Sequence, residues 1–415
     1  MNTSLIKKYE VFFLILFIFY IPQHFFHWYY IDYFRFMYKG QDNLSIWVSV
    51  LIMILVVTTI LLDNIIPRVK FKKIYLPNLV LKYLLYTFVL LFLYLSIVFA
   101  LNYDISFRHQ NRLSESGIIK IIPHLRFVGM FFIFIHFSHF IKNREIYKNQ
   151  RGLIFLVTLS LLLTTTSSLG VPLIFIGLFL SLVPVYISHK VFVNHVNFFK
   201  FIIIIFLLLV LFILVIYMGY ANKWGHEEII KIFSNFEFYS MLFEKIFTRL
   251  STSYASVNAA ISQFIFLDIN YQFEIFYSSF KDFLSKLTYI FGLSEGLGGG
   301  ISSVSRENFL ILFTGHQYLP RSGTSPGIVA SILFVPFFPM GLILLSFYSV
   351  VVIRVFNHYN PYYLNINFLG KLTFVYFLVP LIESPLSSIN LFIPVSIYLI
   401  LLLLSILIKS KNSYK

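Results

Sequence analysis

The sequence predicts an all-α polytopic membrane protein, from three observations. Of 415 residues, 59% are hydrophobic and only 12% charged, about half the charged share of a soluble domain. Apolar runs recur along the chain at the length of about 20 residues that a helix needs to cross a hydrocarbon core. Lys and Arg collect in alternate connections between those runs, as the positive-inside rule requires.

Ten segments qualify as spans: 11–30, 44–62, 79–101, 121–141, 152–169, 171–188, 199–220, 327–353, 364–383 and 389–408. Only the turn-like TSSLGVP separates the fifth from the sixth, and ESPLSS separates the ninth from the tenth; Pro172 and Pro385 favour a break in each place. Lys7 and Lys8 precede a long apolar run that lacks a small-residue cleavage site, which predicts a retained signal anchor. If the N-terminus is cytoplasmic, the inner segments hold 16 Lys and Arg, among them Lys8, Arg68, Arg151 and Arg354, and the short outer loops hold 5. Both termini are therefore expected in the cytoplasm.

One connection is long. Residues 221–326 follow seven spans and precede three, so the chain divides into 1–220, the loop 221–326 and 327–415, with the loop on the outer face. The loop has eight Lys and Arg against nine Asp and Glu and alternates apolar and polar residues at helical spacing. It is expected to fold, to contain amphipathic helices and to lie partly in the membrane interface.

Composition excludes other classes. The net charge of +15 is distributed by position relative to the spans and does not indicate nucleic acid. The absence of Cys excludes disulfides and thiolate metal sites, and no metal-type cluster of His and carboxylates stands at a recognisable spacing. The 51 Phe and 28 Tyr suit lipid-facing surfaces and interfacial belts. No metal or other cofactor is expected.

Within the loop, FTRLSTSYASVNAAISQFIF places Arg249, Ser253, Ser256 and Gln263 on one face of a helix and Tyr254, Val257, Ile261 and Phe264 on another. Such a helix either rests on the bilayer with Arg249 snorkelling or turns Arg249 into a cavity as a phosphate ligand. Five Gly between Gly292 and Gly300 suit a flexible connector, or a nest of amides around an anion. In GHQYLPRSGTSPG, Thr324 and Ser325 are good N-cap residues and Pro326 suits a first helical turn, which predicts that the eighth span starts there. Arg321 lies just upstream with a fork that matches phosphate oxygens, and His316 titrates near neutrality and suits a general base. Arg126 lies several residues inside the outer end of the fourth span, where an ionisable group is costly unless it is functional or snorkels. Glu383 stands at the outer end of the ninth span, as a partner for Arg, as a base or as a simple hairpin end.

With many spans, one long late loop, RLSTSYASV at 249–257 and HQYLPRSGTSPGIVASILF at 316–334, the chain resembles the Wzy-type O-antigen and capsule polymerases. Related enzymes often carry an Arg in a short SRG-like turn between middle spans; here that turn reads SSLG, at 167–170, and no role is carried onto it. The resemblance implies a GT-C-like helical glycosyltransferase of the bacterial inner membrane, acting on undecaprenyl-diphosphate-linked oligosaccharides at the periplasmic face. It also implies membrane lipids and a chain-length regulator protein as partners, and no nucleic acid. Arg249, Arg321 and Arg126 would hold the diphosphate, and His316 would be the base, with Glu307 or Glu383 as substitutes. An O-antigen ligase shares the topology and the Arg residues. A lipid-linked oligosaccharide flippase is the alternative from another class, although ionisable groups are scarce within these spans.

Overall fold

A computed structural model describes residues 8–20, 45–67, 74–102, 118–143, 148–164, 170–183, 252–262, 264–278, 304–312, 325–359, 366–386 and 394–410, with isolated positions at 206, 210, 213, 217, 221 and 227. The described residues are overwhelmingly helical. In chain order they form α1 (8–20), α2 (Ser45–Ile65), α3 (Asn78–Asn102), α4 (Ile118–Asn143), α5 (Lys148–Leu163), α6 (Val171–Leu182), α7 (252–262), α8 (269–278) and α9 (Val304–Leu312). There follow α10 (Gly327–Leu333), α11 (Phe338–Tyr359), α12 (Phe368–Glu383) and α13 (Pro394–Leu407). Two three-residue strands depart from the all-α expectation: β1 (Ile74–Leu76) and β2 (Ile408–Ser410) pair in parallel, with Ile74 opposite Ile408.

Among the described residues, four helices are long and apolar enough to cross a membrane: Ile46–Ile65, Leu79–Asn102, His124–Lys142 and Phe338–Tyr359. The apolar stretches Gln150–Leu163, Pro172–Leu182 and Pro394–Leu407 are shorter. Positions 206, 210, 213 and 217, within the expected seventh span, are helical.

The chain forms two compact units. Unit 1 comprises Met1–Lys70, Tyr239–Asn357 and Leu378–Ser396; unit 2 comprises Phe71–Phe238, His358–Phe377 and Ile397–Lys415. In unit 2, small residues let helices approach closely. A side chain at Gly177 of α6 would meet Thr158 Oγ1 of α5 at 2.1 Å, and one at Gly129 of α4 would meet Leu161 and Phe92 at 3.2 Å. Aromatic rings fill the remaining core. Phe134 packs edge-on against Phe374, Tyr359 and Tyr398 with ring centroids 5.3 to 6.4 Å apart, a favoured geometry for aromatic quadrupoles. Arg151, at the start of α5, donates to the carbonyls of Ser181 (3.0 Å) and Val183 (2.7 Å), groups that the end of α6 leaves without helical partners.

Unit 1 is tied by charge. The Asp63 side chain on α2 is only 1% exposed and forms ion pairs with Lys8 of α1 and Arg354 of α11. Tyr9 donates to the same carboxylate at 2.6 Å, and Arg354 Nε does so at 2.6 Å. The guanidinium also donates to the carbonyls of Asp63, Ile66 and Pro67 at 2.9, 2.6 and 3.2 Å, and so caps the C-terminal end of α2. Asn357 completes the knot by donating to the Lys8 carbonyl at 2.9 Å. A buried carboxylate is tolerable because each of its oxygens is met by a cationic donor.

The expected eighth span, 327–353, is broken. Pro336 has no N–H to give the carbonyl of Ile332, so α10 stops after about two turns. Gly341 packs onto that carbonyl: a Cβ there would lie 2.2 Å from it. Between them Phe337 takes φ 64°, a left-handed conformation that is rare for an aromatic residue, and its carbonyl accepts the N–H groups of Met340 and Gly341 to start α11. The helix long enough to cross a membrane is therefore Phe338–Tyr359, while Gly327–Ile332 is wholly buried.

Asp63→Asn keeps the shape and removes the charge, leaving Lys8 and Arg354 to face each other. The expected loss is about 3 kcal/mol, the low end for breaking a buried pair, because the two cationic side chains are 20% and 24% exposed and can still hydrate. It would be read as a fall in Tm of the detergent-solubilised protein. Arg354→Lys keeps the charge but not the fork that reaches the α2 carbonyls, so its loss is smaller.

Candidate functional site

At Tyr20 of α1, polar groups converge. Tyr20 is buried, and its oxygen accepts the Val329 N–H at 3.3 Å and is hydrogen-bonded to Ser253 of α7. Gly327 opens α10 with φ 76°, and a Cβ there would meet Tyr20 Oη at 2.7 Å and Ser253 Cβ at 2.9 Å. Glycine is required twice over, by conformation and by space. Ser325 is hydrogen-bonded to Ser384, and Glu383 lies close enough to act on Tyr20 electrostatically. Four separate stretches thus meet here: α1, α7, the start of α10 and the end of α12.

Two expectations about these stretches are corrected. Pro326 occupies the N-cap of α10 with no side-chain cap bond, so Ser325 does not cap the helix and its hydroxyl bonds Ser384. Thr324 lies outside the described residues. The helix of RLSTSYASV does not rest on a bilayer over its described part. Residues 253–257, 259 and 260 of α7 are buried on both its polar and its apolar faces, because the serines find protein partners. Ser256 donates to the Thr252 carbonyl at 2.8 Å and accepts from Asn308 Nδ2 of α9 at 3.0 Å.

Glu307 lies one residue from Asn308 on α9, is 7% exposed and accepts a hydrogen bond from Tyr271 Oη of α8 at 3.1 Å. Burial pushes its pKa up, while the Tyr271 hydroxyl and the Arg306 charge pull it down. Burial, with the negative charge of Glu307 next, pushes the Tyr271 phenol up, and burial alone pushes Tyr254 up to about 12.

In unit 2, Arg126 Nη2 donates to the Thr164 carbonyl just past the end of α5, at 2.5 Å. Tyr376, on which the Arg126 charge acts, is hydrogen-bonded to the Leu173 backbone in the first turn of α6. Arg126 thus faces inward onto helix ends rather than away from the unit.

Of the residues singled out in the sequence, Glu307, Glu383 and Arg126 are described; Arg249, His316, Arg321 and the glycine-rich 292–300 lie outside the described residues. Among the described residues no group of three or more His or carboxylates could hold a metal ion. No protein-family model, curated protein or solved structure matches the chain. Tyr20, Ser384 and Asn308 escaped notice in the sequence. A tyrosine inside an expected span, a serine just after another and an amide in REN carry no pattern that separates them from ordinary structural residues.

Gly327→Ala should cost about 2 kcal/mol or more, from strain at positive φ and the clash with Tyr20 and Ser253. In the double variant Gly327→Ala, Ser253→Gly the clash with Ser253 goes and the φ strain stays, so Tm should recover only in part.

For Glu307 the native state holds the proton more tightly than the unfolded chain does. Its contribution to stability is present below the ordinary glutamate range and is lost as pH rises through the raised folded value. Tm followed against pH should fall across that window, and Glu307→Gln should remove this part of the fall.

Proposed function

We propose that this protein is an O-antigen or capsule repeat-unit polymerase of the Wzy type. In this reading it has ten spans, both termini in the cytoplasm, the 221–326 loop in the periplasm and a GT-C-like arrangement in the bacterial inner membrane. The observation that carries the reading is the contact between the two stretches on which the resemblance rests. Ser253 of RLSTSYASV meets Gly327 of TSPG too closely for any side chain at 327, and Phe264 packs on Phe334 with ring centroids 4.5 Å apart. Arg249 is four residues from Ser253 and Arg321 six from Gly327 in the sequence. The meeting of Lys8 and Arg354 at Asp63 agrees with both lying on one side of the membrane.

The reaction joins the anomeric carbon of the growing glycan to a hydroxyl at the non-reducing end of a lipid-linked repeat unit. The bond from that carbon to undecaprenyl diphosphate breaks, and the hydroxyl proton passes to a base. Arg249 and Arg321 would stabilise the departing diphosphate. His316 would take the proton, and Glu383, beside Tyr20 at the meeting of the two motif stretches, would be the next choice before Glu307.

Arg249→Ala and Arg321→Ala should each abolish chain extension while the protein still reaches the membrane, as read from lipopolysaccharide ladders on gels. Normal ladders from both variants would remove them from the mechanism. A deletion strain should carry core capped by a single repeat unit; uncapped core would indicate a ligase instead.

A further inference from the structure

We infer that α8, together with the Phe264–Phe266 turn before it, is an interfacial anchor whose partner is the lipid surface, and that it extends the lipid-facing side of α11. This does not depend on the chemistry proposed above. The segment has three distinct sides. Facing inward, Phe264, Gln272 and Ile275 are buried, and Gln272 donates to the carbonyls of Phe264 (3.3 Å), Ile265 (3.4 Å) and Leu267 (3.0 Å), which fixes the turn to the helix. A second side carries Asn270, Tyr271 and Glu274, all exposed. The third carries Ile269, Phe273 and Tyr277 at four-residue spacing, one stripe of a helix, also exposed. Phe266, 78% exposed, lies just before it in the chain.

That apolar stripe runs onto a membrane helix. The Phe273 ring meets the Phe337 ring at 5.6 Å in an edge-on contact, and Phe337, immediately before α11, is itself 60% exposed. From there Met340, Ile343 and Phe347, at i, i+3 and i+7, continue an exposed apolar face down α11, which is long and apolar enough to span a membrane. Exposed apolar residues along a spanning helix face lipid. A stripe continuous with them at the helix end, bordered by Asn270 and Glu274, therefore lies where hydrocarbon gives way to water. Phe337, exposed at the junction, has a left-handed backbone with φ 64°, and strain of this kind persists only where the surrounding structure holds it.

The chain contains no Cys, so single-cysteine variants carry one nitroxide label without background. Full-length protein in proteoliposomes would be labelled at Phe266→Cys and Tyr277→Cys, with Ile343→Cys as the lipid reference and Asn270→Cys and Glu274→Cys as the aqueous ones. All five positions are exposed, so the label does not enter the core. The ratio of collisions with oxygen to collisions with a water-soluble nickel chelate should be several-fold higher at 266 and 277 than at 270 and 274, approaching that at 343. Ratios at 266 and 277 as low as those at 270 and 274, and well below that at 343, would place the stripe in water and overturn the inference. Low collision rates with both reagents at 266 and 277 would mean that protein covers them, and would overturn it equally.

Discussion

The buried carboxylate of Asp63 is the constraint on which unit 1 is organised. Removing an ionised group from water is costly unless its charge is compensated on the spot, and here compensation comes from two other helices: Lys8 and Tyr9 on α1, Arg354 on α11. Because Arg354 also takes up the last carbonyls of α2, the angle and height of that helix end are set along with its position. With Lys8 and Tyr9 held in this way, the same helix delivers Tyr20 to the N–H of Val329.

What gathers around Tyr20 is a meeting of segments far apart in the chain. Ser253, Gly327, Ser325, Ser384 and Glu383 arrive from three further stretches, and the closeness of the contact rests on the missing side chain of Gly327. The Glu307, Tyr271, Asn308 and Ser256 contacts form a second polar layer in the same unit and link α7, α8 and α9.

Much of the helical pattern was legible in the sequence because a bilayer-length apolar run has few other outcomes. Ser45–Ile65, Asn78–Asn102 and Ile118–Asn143 each fall within a few residues of an expected span. The break at VPFFP was missed because hydropathy averages over it: Val, Phe and Pro keep the window apolar while Pro336 removes one donor from the ladder. The burial of α7 was missed for the opposite reason. A serine face reads as water-facing until Asn308 supplies it with a partner, and that partner comes from 52 residues further along the chain. The pairing of Asp63 with Lys8 and Arg354 has no signature in the sequence, because the three residues are separated by 55 and 291 positions. Of the expected site residues, Glu383 joins the Tyr20 cluster, Glu307 and Arg126 find partners of their own, and Arg249, Arg321 and His316 lie outside the described residues.

In the proposed function, one glycosyl transfer, driven by departure of a lipid diphosphate, takes place where these stretches meet. The most direct measurement gives purified protein in proteoliposomes a single substrate, the undecaprenyl-diphosphate-linked repeat unit, without nucleotide sugar. Glycans of two or more repeat units should appear on the lipid, with one undecaprenyl diphosphate released per bond formed. Movement of the lipid between leaflets with no new glycosidic bond would contradict the account.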